Sequence, residues 1–168
     1  DLAKALKNYE EGLKIRRGLV AQDPTDAMAL RDLSVSLDRV GDVHEARKDF
    51  VPALENYLES LKIRRVLAAQ DPTDTALRDL SNSLDKVGRV HRAQGDLAGA
   101  CQNYVEGLEI RRELAAQDPT LTARRDLSVS LDNVGQVLAD QGDLAAARQN
   151  CEAGLEISRE LTAQDPTS

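Results

Sequence analysis

The chain has 168 residues, of which 41% are hydrophobic, 30% are charged and 2% are aromatic, and its formal net charge is −7. The excess of acidic residues argues against nucleic-acid binding, which needs a basic stripe to neutralise phosphates, and no apolar stretch approaches the roughly 20 residues of a membrane span. Two cysteines are too few for a disulfide framework, so a reducing cytoplasm is the expected compartment.

The first predicted element is a helix over residues 1–22, in which apolar residues recur three, four or seven positions apart. The same pattern returns at 49–70, 96–117 and 143–164, and we name these elements helix B. Each copy ends in Gln-Asp-Pro-Thr, where proline cannot continue a helix. That proline is well placed to open the next helix, with the preceding Asp as its N-cap.

The second predicted element, helix A, covers residues 25–47 and carries apolar residues on one face. It recurs at 73–94 and 120–141. Glycine follows the later two copies, at Gly95 and Gly142, where a left-handed residue can end a helix. Lys48 stands at the equivalent place in the first copy, and because a non-glycine residue costs roughly 1 kcal/mol there, we expect that turn to be the loosest or the most altered.

An 11-residue stretch within helix A sets the period of the chain. It occupies 31–41, 78–88 and 125–135, so successive copies are 78 − 31 = 47 and 125 − 78 = 47 residues apart. A fixed period of this length is typical of a stacked-repeat solenoid. The predicted fold is therefore all-α, with seven antiparallel helices in the order B-A-B-A-B-A-B.

The whole of 1–168 is interpreted as one repeat array. Its predicted parts are an orphan helix B at 1–22 and three repeats, at 23–70, 71–117 and 118–164. The first repeat holds one extra residue within 26–29, which we expect near the proline junction, because an insertion inside a packed helix rotates its apolar stripe by about 100°. The chain starts inside a repeat, so we expect a piece of a longer protein.

A known family pattern lies within these repeats. Seven positions of each repeat stand at the offsets of the tetratricopeptide signature. In the second copy they are Leu84, Val87, Gly88, His91, Gly95, Ala100 and Tyr104. In the first copy they are Leu37, Val40, Gly41, His44, Lys48, Ala53 and Tyr57, and in the third Leu131, Val134, Gly135, Leu138, Gly142, Ala147 and Cys151. The chain resembles tetratricopeptide (TPR) arrays, in particular the long-helix kind of kinesin light chains and bacterial multidomain proteins. It departs from them in its missing Trp and in a 47-residue repeat where 34 is usual.

The resemblance implies a right-handed superhelix whose concave groove is lined by helix A. On that basis the candidate partner-binding residues form one face of the three A helices, and an acidic row of three aspartates runs along it. The peptide-carboxylate clamp of chaperone-binding members is not reproduced, and a plain solvated face is the alternative. The predicted face consists of Val35, Asp38, Asp42, Glu45, Asn82, Asp85, Arg89, Arg92, Val129, Asp132 and Gln136.

Other polar residues favour structural roles. His44 and His91 share a position on the apolar stripe, and neither has partners that suggest a metal or a catalytic group. Cys101 and Cys151 are interpreted as helix-buried thiols. The repeated serines and the mid-helix glycines are interpreted as small residues where helices cross closely. No catalytic, cofactor-binding or metal-binding residue is predicted. The serines lie at 34, 36, 81, 83, 128 and 130, and the glycines at 41, 88 and 135.

The Ile-Arg-Arg motifs form a basic ladder at 16–17, 64–65 and 111–112. We expect at least one arginine of each internal copy to pair with Asp32, Asp79 or Asp126 at the neighbouring edge of helix A. A site for a phosphate or an acidic partner is the alternative.

The predicted function is protein–protein interaction or scaffolding. The expected partner is a peptide or protein of basic or mixed charge that binds the concave face. No enzymatic activity, cofactor, nucleic-acid partner or membrane association is predicted. Two alternatives stay open. The array could be the regulatory or sensor arm of a larger enzyme, a protease or NTPase, or a self-assembling array. Helices 1–22 and 143–164 lack an outer neighbour, so end-to-end contacts through them are expected.

Overall fold

The structure, a computed structural model, describes residues 2–164, and all of its regular elements in that range are α-helices. The predicted helix bounds agree with it to within two residues at each end. Asp1 and 165–168 lie outside the described residues, as does most of the last Gln-Asp-Pro-Thr motif at 164–167. The seven helices are α1 (Leu2–Gln22), α2 (Ala27–Ala46), α3 (Phe50–Gln70), α4 (Asp74–Ala93), α5 (Leu97–Gln117), α6 (Leu121–Gln141) and α7 (Leu144–Gln164).

Each helix packs mainly against its neighbours in the chain, and the contact is most extensive within the pairs α2–α3, α4–α5 and α6–α7. Helices α2, α4 and α6 are the predicted A helices, and α1, α3, α5 and α7 are the B helices. The fold is therefore an all-α solenoid, as the period predicts.

The A helices begin after the proline rather than at it. Thr73 and Thr120 are the N-caps of α4 and α6, and their hydroxyls accept the backbone N–H groups of Ala76 and Ala123. The prediction that the Asp before proline caps the helix is therefore wrong. The residue before a proline is disfavoured in the α region, so the helix begins two residues later, at a side chain that can cap it.

The extra residue of the first repeat lies in the loop before α2. Residues 23–26 connect α1 to α2, whereas 71–73 suffice between α3 and α4. The added Asp26 is itself the N-cap, and it accepts the N–H groups of Met28 and Ala29. The insertion is thus absorbed before the helix begins, which confirms its predicted place.

The backbone of the turn from helix A to helix B is alike in all three repeats. Lys48 has φ 62°, beside 84° for Gly95 and 90° for Gly142. Asp49 N donates to His44 O at 2.9 Å, and Asp96 N donates to His91 O at the same distance.

The first turn differs at its cap: Asp49 accepts no side-chain cap hydrogen bond, whereas Asp96 accepts one from Gly99 N and Asp143 one from Ala146 N. Together with the left-handed conformation of Lys48, which glycine adopts without strain, this agrees with the expectation that the first turn is the altered one.

The core alternates glycine on helix A with a large side chain on helix B. Tyr57, 1% exposed, lies so close to Gly41 that a Cβ there would come within 2.5 Å of the ring. Tyr104 faces Gly88 in the same way, at 2.9 Å. The interpretation of these glycines as places of close helix contact is confirmed.

The serine and cysteine predictions have different outcomes. All six repeated serines are buried, as predicted. Cys101 is half-buried, but Cys151 is exposed, so its interpretation as a buried thiol is wrong. Cys151 stands on α7, and no further helix of the described chain packs on its outer side.

Candidate interaction surface

A buried arginine joins the first and second repeats. Arg64, on α3, is 8% exposed, and its Nη2 donates to Asp38 Oδ2 on α2 at 2.8 Å. Its Nη1 donates to Ser83 Oγ at 3.0 Å and to the carbonyl oxygen of Asp79 at 2.9 Å, both on α4. Its Nε donates to Ser34 Oγ at 3.3 Å. One guanidinium thus binds two successive A helices.

The same arrangement recurs between the second and third repeats. Arg111, on α5, is 5% exposed, and its Nη1 donates to Asp85 Oδ2 on α4 at 2.6 Å and to Ser130 Oγ on α6 at 2.5 Å. Its Nη2 donates to Asn82 Oδ1 at 2.9 Å. We call each of these arrangements an arginine socket: an aspartate and polar groups of helix A around a guanidinium.

The sockets correct the predicted arginine pairing. Neither Arg64 nor Arg111 pairs with the carboxylate of Asp32, Asp79 or Asp126, and Arg64 binds Asp79 through its carbonyl group alone. The second arginine of the motif, Arg65, pairs with Glu106 at 2.7 Å on the next helix B. The prediction placed the arginines at the helix edge, whereas the first arginine of each internal motif points into the repeat junction.

Both socket aspartates have one carboxylate oxygen without a partner. Burial raises the pKa of Asp85, although the charge and hydrogen bond of Arg111 act in the opposite direction. Oδ1 of Asp38 and of Asp85 is buried without a hydrogen-bond partner, so each carboxylate depends on its other oxygen and on its arginine. Removal of either arginine would leave a buried charge without its closest partner.

Ion pairs also connect equivalent helices of successive repeats. Arg31 and Asp79 are 3.0 Å apart, and Arg89 and Glu45 are 2.5 Å apart. These pairs use many residues of the predicted partner-binding face, so much of its charge is already neutralised within the molecule. The others between A helices are Arg78–Asp126 (3.4 Å), Lys86–Asp42 (2.5 Å), Lys86–Asp38 (4.0 Å) and Arg92–Asp140 (2.5 Å), and Arg92 also donates to Gln136 at 2.8 Å.

Tyr57 ties one of these pairs to the core. Its hydroxyl oxygen lies 2.7 Å from Asp42 Oδ1 and 2.8 Å from Glu45 Oε2. Burial, followed by these two carboxylates, raises the pKa of Tyr57 well above its ordinary value. Burial also opposes ionisation of Glu45, but hydrogen bonds from Arg89 and Tyr57 outweigh it and lower the pKa of Glu45.

The predicted face is therefore only partly an open surface. Asp38 is 7% exposed and is held by Arg64, so the acidic row at Asp38, Asp85 and Asp132 is not a continuous exposed row. Val35 and Val129 are 37% and 50% exposed. We call the exposed surface around these two positions and the equivalent Asn82 the helix A face.

The third repeat lacks the arginine of the socket. Asp38 and Asp85 lie 26 residues before Arg64 and Arg111, and the same offset from Asp132 leads to Ser158. The side chain of serine is far shorter than that of arginine.

A cavity of about 330 Å³ lies between α6 and α7 where the missing guanidinium would be. Asp132 lines it and has no hydrogen-bond or ion-pair partner in the described part of the chain. Ser128 Oγ and Ser158 Oγ lie 2.8 Å apart at its wall. The rest of the lining is Leu121, Arg125, Val129, Leu161 and Thr162.

The repeats themselves match a known family. A family model described as Tetratricopeptide repeat matches residues 80–119 and 127–165. Residues 80–119 and 127–165 are therefore tetratricopeptide repeats. Repeats of this family generally mediate protein–protein interactions and scaffolding, and the first repeat of this TPR array continues the same 47-residue period.

Other comparisons add little to the family match. No curated protein sequence matches the TPR array. Among solved structures, it is similar to "Crystal structure of BtubC (BKLC) from P. vanneervenii", with TM-score 0.35 and 12% identity over 96% of this chain and 92% of that one. It is also similar to "DHF79 filament", with TM-score 0.34 and 13% identity over 96% and 87%. The family assignment therefore stands on the repeat match.

Within residues 2–164, no helix is long and apolar enough to cross a membrane. No group of three or more His, Cys, Asp or Glu side chains in the same range could hold a metal ion.

Proposed function

We propose that this TPR array is a protein–protein interaction or scaffold module that binds a peptide or protein along the helix A face. The observation that supports this most is the exposure of Val35 and Val129, at equivalent positions of α2 and α6. Two exposed apolar side chains at equivalent positions of the first and third repeats, with the exposed Asn82 between them on α4, suit an extended partner segment.

The charges of this face favour a partner of mixed charge. Asp42, Glu45 and Arg92 are paired within the array, so they present both signs to a partner rather than a uniform acidic row. Asp132 is the acidic residue of the row that stays unpaired among residues 2–164. Affinity is expected to fall as salt concentration rises, because exposed charges are screened.

The experiment compares two exposed positions on helix A with one on helix B. V35E and V129E are expected to abolish capture of a partner from the producing cell, whereas L58E on α3 leaves it intact. Leu58 is 44% exposed and serves as the matched control. Circular dichroism checks that all three variants keep their helices. Capture that survives V35E and V129E but not L58E would place the partner on helix B and refute the proposal.

Two further points belong to the proposal. We propose that the array works in the cytoplasm, because two cysteines are too few for a disulfide framework. We also propose that it has no catalytic activity of its own, because its buried polar groups are used in repeat–repeat contacts.

A further inference from the structure

We propose that the vacant socket of the third repeat, formed by Asp132, Ser128 and Ser158, binds the guanidinium group of an arginine side chain from a partner protein. This inference rests on the proposed function, because its occupant belongs to a protein bound on the helix A face. It specifies the chemistry of one contact, in which the Asp132 carboxylate binds an arginine of the partner.

The two filled sockets serve as templates for the vacant one. In both, the aspartate 26 residues before the arginine accepts a guanidinium N–H, at 2.8 Å from Arg64 and 2.6 Å from Arg111. Ser34, the equivalent of Ser128, accepts a third N–H from Arg64. The third repeat keeps the aspartate and this serine but has Ser158 in place of the arginine.

The cavity suits an arginine that enters from outside. It is bounded by α6 and α7, and no further helix of the described chain covers it. Leu121 and Val129 are each 50% exposed beside it and offer apolar surface to the methylene groups of an arginine. Lysine fits less well, because the socket groups are arranged to accept several N–H groups of a planar guanidinium, whereas lysine presents a single ammonium group.

Arg125 is the one cation that lines this cavity. Its equivalents Arg31 and Arg78 each pair with an aspartate of the next helix A, at 3.0 and 3.4 Å. Arg125 has no such partner in the described chain, so it opposes an incoming guanidinium. Replacement of Arg125 is therefore expected to strengthen arginine binding, whereas replacement of Asp132 is expected to weaken it.

The binding test titrates the array with blocked arginine amide as the probe and with blocked lysine amide as the control. Chemical shifts of the backbone amides of the array report binding. Arginine is expected to shift the signals of residues around Asp132 and Ser158, and lysine is not. D132N weakens binding about tenfold or more, as the loss of a charge-assisted hydrogen bond predicts. E156Q removes an equal charge from an exposed site of α7 and leaves binding unchanged, whereas R125Q strengthens it. Equal shifts with lysine, no shifts with arginine, or a loss of binding in R125Q would overturn the proposal.

A stability test needs no added ligand. S158R supplies the missing arginine within the chain, so it is expected to raise the unfolding midpoint and to block the probe. S158K and the double variant D132N/S158R are expected to show no such gain. A midpoint that rises equally in S158R and S158K would overturn the socket geometry.

The two proposals fail in different ways. The arginine probe requires no partner protein. If arginine causes no NMR shifts but V129E still abolishes partner capture, the socket proposal is refuted and the proposed binding on the helix A face is supported. If arginine binds but V35E and V129E both retain the partner, the binding on the helix A face is refuted and the socket proposal is supported.

Discussion

The guanidinium of Arg64 and the carboxylate of Asp38 are 2.8 Å apart in a site where both side chains are at most 10% exposed. The same guanidinium reaches α4 through Ser83 and the carbonyl of Asp79. Because it binds two A helices at once, this pair fixes how the second repeat sits on the first. Burial of charge is costly unless each group is paired, so the junction depends on both residues.

Loss of the buried arginine is expected to destabilise the array strongly. R64M should lower the free energy of unfolding by about 3–5 kcal/mol, because it removes the closest partner of the buried Asp38 carboxylate and leaves only Lys86 Nζ, 4.0 Å away. Urea unfolding followed by circular dichroism measures this change.

Arg65 provides the matched control, since its side chain is 49% exposed in its pair with Glu106. R65M should change the free energy of unfolding by about 0–1 kcal/mol. Equal effects of the two variants would contradict the structural role of the socket.

Glycine at the crossing of α2 and α3 is expected to be required for packing. A Cβ at Gly41 would lie 2.5 Å from Tyr57, so G41A should cost about 1–3 kcal/mol of overpacking. Gly18, on α1, has nothing within 4 Å of the same position, and G18A should stabilise the helix by about 0.5–1 kcal/mol. Thermal unfolding of both variants tests the difference in sign, and a stabilised G41A would show that the ring can move aside.

The helices could be predicted closely from the sequence, but the sockets could not. Helix bounds follow from local periodicity and from the proline and glycine signals. The pairing of Arg64 with Asp38 depends on how two helices rotate against each other, which a single helical pattern does not determine. A faint cue existed: Asp and Arg recur 26 residues apart in two repeats, and the third copy has Ser158.

The burial of Asp38 could not be predicted from the sequence for the same physical reason. Its position on helix A suggested solvent, because the residues around it are polar. In the folded array the next helix B covers that position and brings Arg64 to it. Val35 and Val129, by contrast, stay exposed as the pattern predicts.

The left-handed residue between α2 and α3 is expected to limit stability. K48G should raise the free energy of unfolding by about 0.5–1 kcal/mol, because glycine adopts the φ of 62° without strain. K62G, at an exposed position within α3, should lower it by about the same amount. Chemical unfolding of the two variants provides the measurement, and a destabilised K48G would mean that the lysine side chain contributes more than the strain costs.

Glu45 is expected to give the array part of its acid sensitivity. Its folded pKa lies below the ordinary value of 4.5 because of hydrogen bonds from Arg89 and Tyr57, which outweigh burial. A lowered pKa contributes stability that is present above pH 4.5 and lost as the pH falls through the folded value. The stability difference between the wild type and E45Q should therefore shrink in acid.

Glu55, exposed on α3, serves as the control for this titration. The difference between the wild type and E55Q should stay small across the same range. A wild type to E45Q difference that does not change between neutral and acid pH would contradict the assignment to Glu45.

The two terminal helices are expected to associate between molecules. On α1, Ile15 and Leu19 are 61% and 49% exposed, and on α7, Leu144 and Leu155 are 69% and 47% exposed. Apolar burial is worth about 25 cal/mol per Å², so end-to-end contact gains free energy that the flanks of the array do not offer. Light scattering across a concentration series should show growth of mass, which L19K and L155K reduce. L58K, at an internal helix with 44% exposure, should leave the growth unchanged, and a chain that stays monomeric at the highest concentration would remove this expectation.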